Sequence, residues 1–426
     1  MDSTAFIVIA VLAILAQALT IFIALFEPTL QYKILRPPSA PLDSDQFRAI
    51  VSALAHSQVF RHTEVEVLTN GEVFYEAELE AITRARHSIN LEAYIFQRGE
   101  LTGRFLKALA ERARAGVKVC LVTDAVGSFA TTKAYCQELI DAGGNVQWYN
   151  PFRWHTLPRI NNRTHRELLI VDCEIGFVGG AGFADHWWKG AKGKPRWRDT
   201  IFRVQGDAVS GLQSVFIQNW LEASGELLTG AEYFCYPNLA VESHVIIVDS
   251  SPSTGQSTRA RMLFQTLLAS AKKSIQITTP YFLPDQSVRK EIVKAIRERG
   301  VDVKIIAPGR HSDHLLTRRS SRRLYGDLLA AGARIFEYEP AMIHTKTLVI
   351  DDLWCVVGST NFDHRSFSIN DEVNLAASDA KLAARLAEDF ARDMACSRAV
   401  SYSAWKKRPL FERMHESLGW ILERQQ

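Results

Sequence analysis

Apolar positions along the chain fall into two successive series with the same order of elements. Ser88-Ile89-Asn90-Leu91-Glu92-Ala93-Tyr94-Ile95-Phe96 reads as a strand and is echoed by Ser274-Ile275-Gln276-Ile277-Thr278-Thr279-Pro280-Tyr281-Phe282. Gly116-Val117-Lys118-Val119 is echoed by Gly300-Val301-Asp302-Val303, each behind an amphipathic helical stretch. Ala142-Gly143 before Val146 and Tyr149 is echoed by Ala331-Gly332 before Ile335 and Tyr338. β-rich runs alternating with helical ones predict α/β layering on a mixed sheet. The repetition predicts a tandem duplication, residues 61–240 and 241–400, whose halves share one central cleft. The offset between copies is 186, 184 and then 189, and drops to 179 further on, which places a ten-residue insertion in the first copy. It spans roughly Phe152 to Thr164 and carries Trp154, His155, Arg159 and Arg163.

Outside the repeat, Ala5 to Phe26 carries no charge, and only Gln17 and Thr20 are polar. As a helix, those 22 residues would cover about 33 Å, enough for a bilayer core. Ala16-Gln17-Ala18 resembles a signal-peptidase site, but the segment before the run has no Lys or Arg and the run continues past Ala18. Residues 1–30 therefore read as an uncleaved transmembrane anchor. Lys33 and Arg36 follow it and Asp2 precedes it, which puts the large domain on the cytoplasmic side. Residues 31–60, with Arg36-Pro37-Pro38-Ser39-Ala40-Pro41, read as a stiff linker. Residues 401–426, from Lys406-Lys407-Arg408-Pro409 through Leu410, Phe411, Met414, Leu418, Ile421 and Leu422, read as an amphipathic tail.

The 50 basic and 47 acidic residues nearly balance, so no global field for nucleic acid exists and none is expected as a partner. Six cysteines without C-x-x-C spacing read as small buried hydrophobes. No metal-ligand spacing such as H-E-x-x-H is present, and neither metal nor cofactor is expected.

The chemistry is concentrated in a duplicated histidine signature. His344-Thr345-Lys346 runs through an apolar stretch to Asp351 and then to Gly358-Ser359. His165-Arg166-Glu167 runs likewise to Asp172 and then to Gly179-Gly180, with an offset of 179 at His, Asp and Gly alike. Residues two apart on a strand share a face, so His344 and Lys346 point together into the cleft. The lysine suits a phosphate oxygen, and the imidazole suits a nucleophile or general acid. Asp172 and Asp351, seven residues past each histidine, read as organising carboxylates near the strand end.

With Gly358-Ser359-Thr360-Asn361-Phe362-Asp363, Asn370-Asp371-Glu372 and Trp197-Arg198-Asp199-Thr200, the chain resembles the phospholipase D superfamily, and within it the bacterial cardiolipin synthases, over about residues 60–400. The resemblance implies two α-β-α sandwich halves and a metal-independent transfer through a phosphohistidine. It implies His165 as nucleophile and His344 as acid and base, with Asp199 and Glu372 orienting the imidazoles. Ser359 and Asn361 would line the phosphate site. The implied substrate is a phospholipid, two phosphatidylglycerols giving cardiolipin and glycerol, at the bacterial inner membrane. Phospholipase D-type hydrolysis, a nuclease or other phosphodiesterase, and a catalytically decayed lipid-binding protein are the alternatives.

The first copy departs from this pattern: Glu167 stands where the second has Lys346, and Gly182 where it has Asn361. At 4 Å and an effective dielectric near 20, each unit of charge is worth up to about 4 kcal/mol, so an ionised Glu167 would repel a phosphate. Three resolutions follow from sequence. Glu167 pairs with Arg163, Arg166 or Arg198, leaving Lys346 and those arginines to hold the phosphate; it orients an acceptor hydroxyl; or the half is decayed. The retained His165, Asp172, Gly179, Gly180, Trp197, Arg198 and Asp199 argue against decay. His186-Trp187-Trp188-Lys189 mixes tryptophan and lysine in a way that suits either a headgroup interface or the core.

Overall fold

The computed structural model describes residues 3–26, 31–153, 159, 161–191, 193–235, 239–251, 258–409 and 413. Residues 154–158 and 160 of the insertion, Trp154 and His155 among them, and the tail from Leu410 onward except Arg413 lie outside these residues.

The first-half strands are β1 (Thr63–Thr69), β2 (Ser88–Ala93), β3 (Lys118–Asp124), β4 (Asn145–Tyr149), β5 (Glu167–Val171), β6 (Ile175–Gly179) and β7 (Thr200–Gly206). The second half has β8 (Val245–Ser250), β9 (Ser274–Thr278), β10 (Asp302–Pro308), β11 (Arg334–Tyr338), β12 (Thr347–Ile350), β13 (Trp354–Gly358), β14 (Glu372–Ser378) and β15 (Ser397–Val400). Among the described residues they form two sheets, β1-β7-β6-β5-β2-β3-β4 and β8-β14-β13-β12-β9-β10-β11-β15. Strand for strand the orders are the same until β15, which the second sheet adds antiparallel to β11. The duplication is thus a duplication of topology.

Alternating side chains on each strand build the layers. On β5, Leu169 and Val171 pack outward under the helices Gly71–Arg84 and Glu100–Arg114. Leu168 and Ile170 pack inward, in one apolar cluster with Val349, Val357 and Leu375 of the other sheet. Helices Ala208–Ser224 and Ala380–Ala395 contribute Phe216 and Leu386 to that shared layer. Leu348 and Ile350 of β12 face the opposite way, into the second half's outer core. Both sheets are therefore covered on both faces, which explains their near-continuous apolar strands.

The segment read as a linker contains more structure than its prolines suggest. Ser44 caps a helix, Asp45–Ala55, by accepting the Phe47 N–H at 3.1 Å. Phe47, Val51 and Ala55 lie on one face of it and are buried in the second half's outer core. Phe47 meets Trp354 edge-on at 5.6 Å. Burying Phe47 and Val51 contributes on the order of 2 kcal/mol each. Four-residue spacing, not the proline run, decides this segment's conformation.

The N-terminal helix runs Ser3–Phe26 with no acidic residue in its first turn and no basic residue in its last. Phe6, Ile7, Val8, Ile9, Leu12, Ile14, Leu15 and Leu19 are all exposed. Among the described residues no helix is long and apolar enough to cross a membrane.

Candidate active site

β5 runs antiparallel to β2, and β12 antiparallel to β9. The residues just before β5 and β12 therefore lie beside the carboxyl ends of the parallel strands, where α/β sheets bind ligands. His165 and His344 occupy those positions. Each is tied to the other half by main chain. The His344 N–H donates to the Arg198 carbonyl (2.7 Å), and the His165 N–H to the Asp371 carbonyl (2.8 Å). The parallel bridges Arg198–Ile343 and Thr164–Asp371 complete the two crossings. Next along each crossing strand comes a carboxylate. Asp199 Oδ2 lies 3.0 Å from His344 Nδ1, and both Glu372 oxygens lie 3.1 Å from His165 Nδ1. Each histidine is thus oriented by a carboxylate from the opposite half, so neither half holds a complete pair alone.

Both carboxylates are fully buried and further held. Asp199 accepts the Trp187 indole N–H at 3.0 Å and the Thr200 N–H at 2.8 Å. Burial works to raise Asp199, but the His344 hydrogen bond and the Lys346 charge outweigh it and hold the carboxyl below its usual range. Ser359 donates to Glu372 and accepts the Val373 N–H at 3.0 Å, so this serine contacts the orienting carboxylate. The buried Arg198 donates to Asp393 (3.0 Å) and to the Asp199 carbonyl (2.6 Å), fixing the peptide that carries Asp199.

Both rings open on a cavity of about 340 Å³. Its walls include Glu167, Asn361, Asp363, Arg365 and Tyr281. Lys346 Nζ sits 3.0 Å from His344 Nδ1 and donates to the His344 carbonyl at 2.9 Å. The lysine lies across the first half's small-residue turn: a Cβ at Gly180 would fall 2.7 Å from its Cδ and 2.8 Å from its Nζ. Burial and the Lys346 charge push His344 down to about 4, against the pull of Asp199. Burial also pushes Asp363 up to about 6.

Asp172 and Asp351 lie at the far ends of their strands, away from the histidines. Each opens a three-residue hairpin loop, Asp172–Glu174 and Asp351–Leu353, in the left-handed region (φ 53° and 54°), followed by Cys173 (57°) and Asp352 (56°). Asp tolerates that conformation and a type I′ turn requires it twice. Asp172 accepts the N–H groups of Arg86, His87 and Ser88 (2.7–2.9 Å), and Asp351 those of Lys272, Lys273 and Ser274 (2.8–2.9 Å). They anchor the entrances to β2 and β9. Asp351→Ala is expected to lower stability by about 1–3 kcal/mol by leaving three donors without that acceptor, read as a shift in the urea midpoint at unchanged slope.

None of the arginines read as partners for Glu167 contacts it. Arg166, its neighbour on the strand, points to the opposite face and donates to the Val215 carbonyl (2.8 Å) and Gln218 (2.9 Å). Arg163 pairs with Asp124 at 3.3 Å while still lining the cavity, and Arg198 belongs to Asp393. Glu167 is buried, and its Oε1 accepts the N–H groups of Tyr94 (3.2 Å) and Ile95 (3.3 Å). Burial pushes its carboxyl well above the usual range, against those N–H groups and the Lys346 charge.

Other residues at the site were not marked by the sequence as site residues. Trp187 is fully buried and meets His344 edge-on at 5.1 Å, so it serves the core and the site rather than a headgroup interface. Arg365 is held by Asn161 (2.8 Å) and Asn370 (3.2 Å). Tyr281 donates to Asp313 at 2.5 Å.

The family model for cardiolipin synthase phospholipase D-like domains matches residues 79–192 and 264–394, the two halves just described. The chain belongs to that family. A cardiolipin synthase of Alkalihalophilus pseudofirmus is 34% identical over 367 residues, covering 84% of this chain and 72% of that one. A cardiolipin synthase of Geobacillus kaustophilus is 33% identical over 390 residues, covering 91% and 77%. The solved phosphatidylserine synthase of Haemophilus influenzae shares the fold, with a TM-score of 0.68 at 15% identity, covering 89% of this chain and all of that one. Cardiolipin synthase-type membership makes the chain a phosphatidyltransferase of the phospholipase D superfamily.

Proposed function

We propose that this chain is a membrane-anchored enzyme that joins two phosphatidylglycerols into cardiolipin and releases glycerol through a phosphohistidine. The observation that carries the reading is the pair of crossed histidine–carboxylate contacts opening on one cavity. A carboxylate on Nδ1 keeps the proton there and leaves Nε2 free to react. His165 Nε2 attacks phosphorus, forming N–P as the P–O bond to glycerol breaks. His344 gives the departing alkoxide its proton. The hydroxyl of the second phosphatidylglycerol then passes its proton to His344 and displaces His165, forming the new P–O bond. Asn361 lines the cavity, where its amide N–H can donate to a phosphoryl oxygen, and Lys346 supplies positive charge from beside His344. Burial and the Lys346 charge disfavour a charged His344; a diester anion near Lys346 offsets that charge and lets the imidazole take up a proton from solvent first.

The anchor is the charge-free run Ala5 to Phe26. Between Phe6 and Leu19 its large side chains are apolar and exposed around the helix, Gln17 apart, a surface that an acyl environment covers and water does not. Lys33 and Arg36 then place the catalytic region on the cytoplasmic face.

Detergent-solubilised protein with labelled phosphatidylglycerol is expected to yield cardiolipin and glycerol in equal amounts by mass spectrometry. Phosphatidic acid alone would make the enzyme a hydrolase, and no product would return the decayed reading.

A further inference from the structure

We infer that Glu167 meets the substrate as an un-ionised carboxylic acid, donating a hydrogen bond from Oε2 to a non-bridging phosphoryl oxygen where the other half uses a lysine. The inference rests on the phosphodiester reading of the site above.

Glu167 opens β5 two residues after His165, as Lys346 precedes β12 two residues after His344, so the pseudo-symmetry makes the two side chains counterparts. Glu167 is 7% exposed and lines the cavity that holds both imidazoles. Its two oxygens are unequal. Oε1 is fixed as an acceptor by the Tyr94 and Ile95 N–H groups, whereas Oε2 is buried with no partner. A bare carboxylate oxygen there would be both unsolvated and repulsive to an anion. A proton on it makes a donor, which is what a phosphoryl oxygen needs.

The second departure in this half belongs to the same device. A Cβ at Gly182 would lie 2.8 Å from Ile95 Cβ and 3.1 Å from Glu167 Oε1. Asparagine there, as at 361, would crowd the carboxyl and the backbone that fixes it. Glutamate at 167 and glycine at 182 are therefore one fitted pair, not two independent losses.

The groups nearest Glu167 are Lys346 from the second half, Glu92 and Tyr94 from the β2 segment, Tyr75 from the helix Gly71–Arg84 and His165 on its own segment, and the cavity they share also holds Arg163, Tyr281, Asp313, His314, His344, Asp363 and Arg365. Lys346 favours ionisation. Burial, Glu92 and an arriving phosphoryl anion all oppose it. Because the acid is the working form, the contact is present below its raised pKa and is lost as pH rises through it.

The test compares wild type, Glu167→Gln and Glu167→Ala between about pH 6 and pH 9. One arm measures kcat/KM for phosphatidylglycerol, and the other calorimetric binding of glycerophosphoglycerol, a soluble diester that stays a monoanion throughout. Wild type is expected to lose both rate and affinity toward alkaline pH. Glu167→Gln, which keeps a donor that cannot ionise, is expected to lose that alkaline fall and to sit well above Glu167→Ala, itself down about 100-fold. Glutamine as inactive as alanine, or wild type without an alkaline fall in diester binding, would overturn the inference. Wild type that binds the diester with this pH dependence but makes no cardiolipin would leave Glu167 as assigned and overturn the transferase reading instead.

Discussion

His165→Ala is expected to abolish phosphatidyl transfer with every donor, by about 10⁴-fold or more in kcat, the scale seen when a nucleophile is removed from a unit that acts together. His344→Ala is expected to be equally severe in turnover, but with a nitrophenyl phosphodiester, whose leaving group departs without a proton, its first step is expected to survive. The reason lies in the division of labour between the rings. Attack by His165 needs a free Nε2 and the Glu372 contact at Nδ1, both of which survive the loss of His344. Discharge of the phosphohistidine needs a base for the incoming hydroxyl, a role that the proposed mechanism gives to His344. With the nitrophenyl ester, His344→Ala should therefore release one equivalent of nitrophenol and stop, with phosphorus on His165 by peptide mass spectrometry. A burst from His165→Ala, with phosphorus on His344, would reverse the order of the two steps. That reversal is chemically sensible for an imidazole held neutral by burial and Lys346, so the experiment decides between real alternatives.

The duplication was legible because each half spells the same strand order in the same apolar rhythm, and the shared topology of the two sheets follows from it. Within that frame the helix Asp45–Ala55 was hidden by its surroundings. Its apolar face is only Phe47, Val51 and Ala55, and the proline run before it suggested extension. Trp187 could not be placed from composition, since a tryptophan beside lysines suits a headgroup belt and a core equally. Its complete burial and its 3.0 Å bond to Asp199 separate the two. Parity along β5 was readable and rules out Arg166 as a partner for Glu167 on its own. The fate of Arg163 and Arg198 was not, because Asp124 and Asp393, which hold them, lie far away in sequence. The crossed pairs show the same limit. The motif marks Asp199 and Glu372 as orienting acids, but that each serves the other half's histidine is a property of the interface.

Asp199→Asn should therefore cost far more than its small change in shape implies. The carboxylate accepts from three directions: His344 Nδ1 at 3.0 Å, the Trp187 indole at 3.0 Å and the Thr200 N–H at 2.8 Å. An amide offers one accepting oxygen. If that oxygen keeps the Thr200 N–H, the amide NH₂ faces both the Trp187 N–H and the imidazole. His344 Nδ1 must then accept, and its proton moves to Nε2, where the hydroxyl's proton has to go. A neutral imidazole in that tautomer is neither base nor orienter. The expected loss is about 10³–10⁴-fold in kcat, with stability down by only about 1–3 kcal/mol for the stranded indole donor. ¹⁵N shifts of His344 would report the tautomer directly, and Trp187→Phe, which removes the indole donor and leaves the carboxylate, should keep the wild-type tautomer. Glu372→Gln is the informative contrast. There Ser359 can turn its hydroxyl to accept from the new amide, so the oxygen stays available to His165. A smaller loss in Glu372→Gln than in Asp199→Asn would follow from that rotor alone, and Asp199→Asn within tenfold of wild type would remove Asp199 from the role.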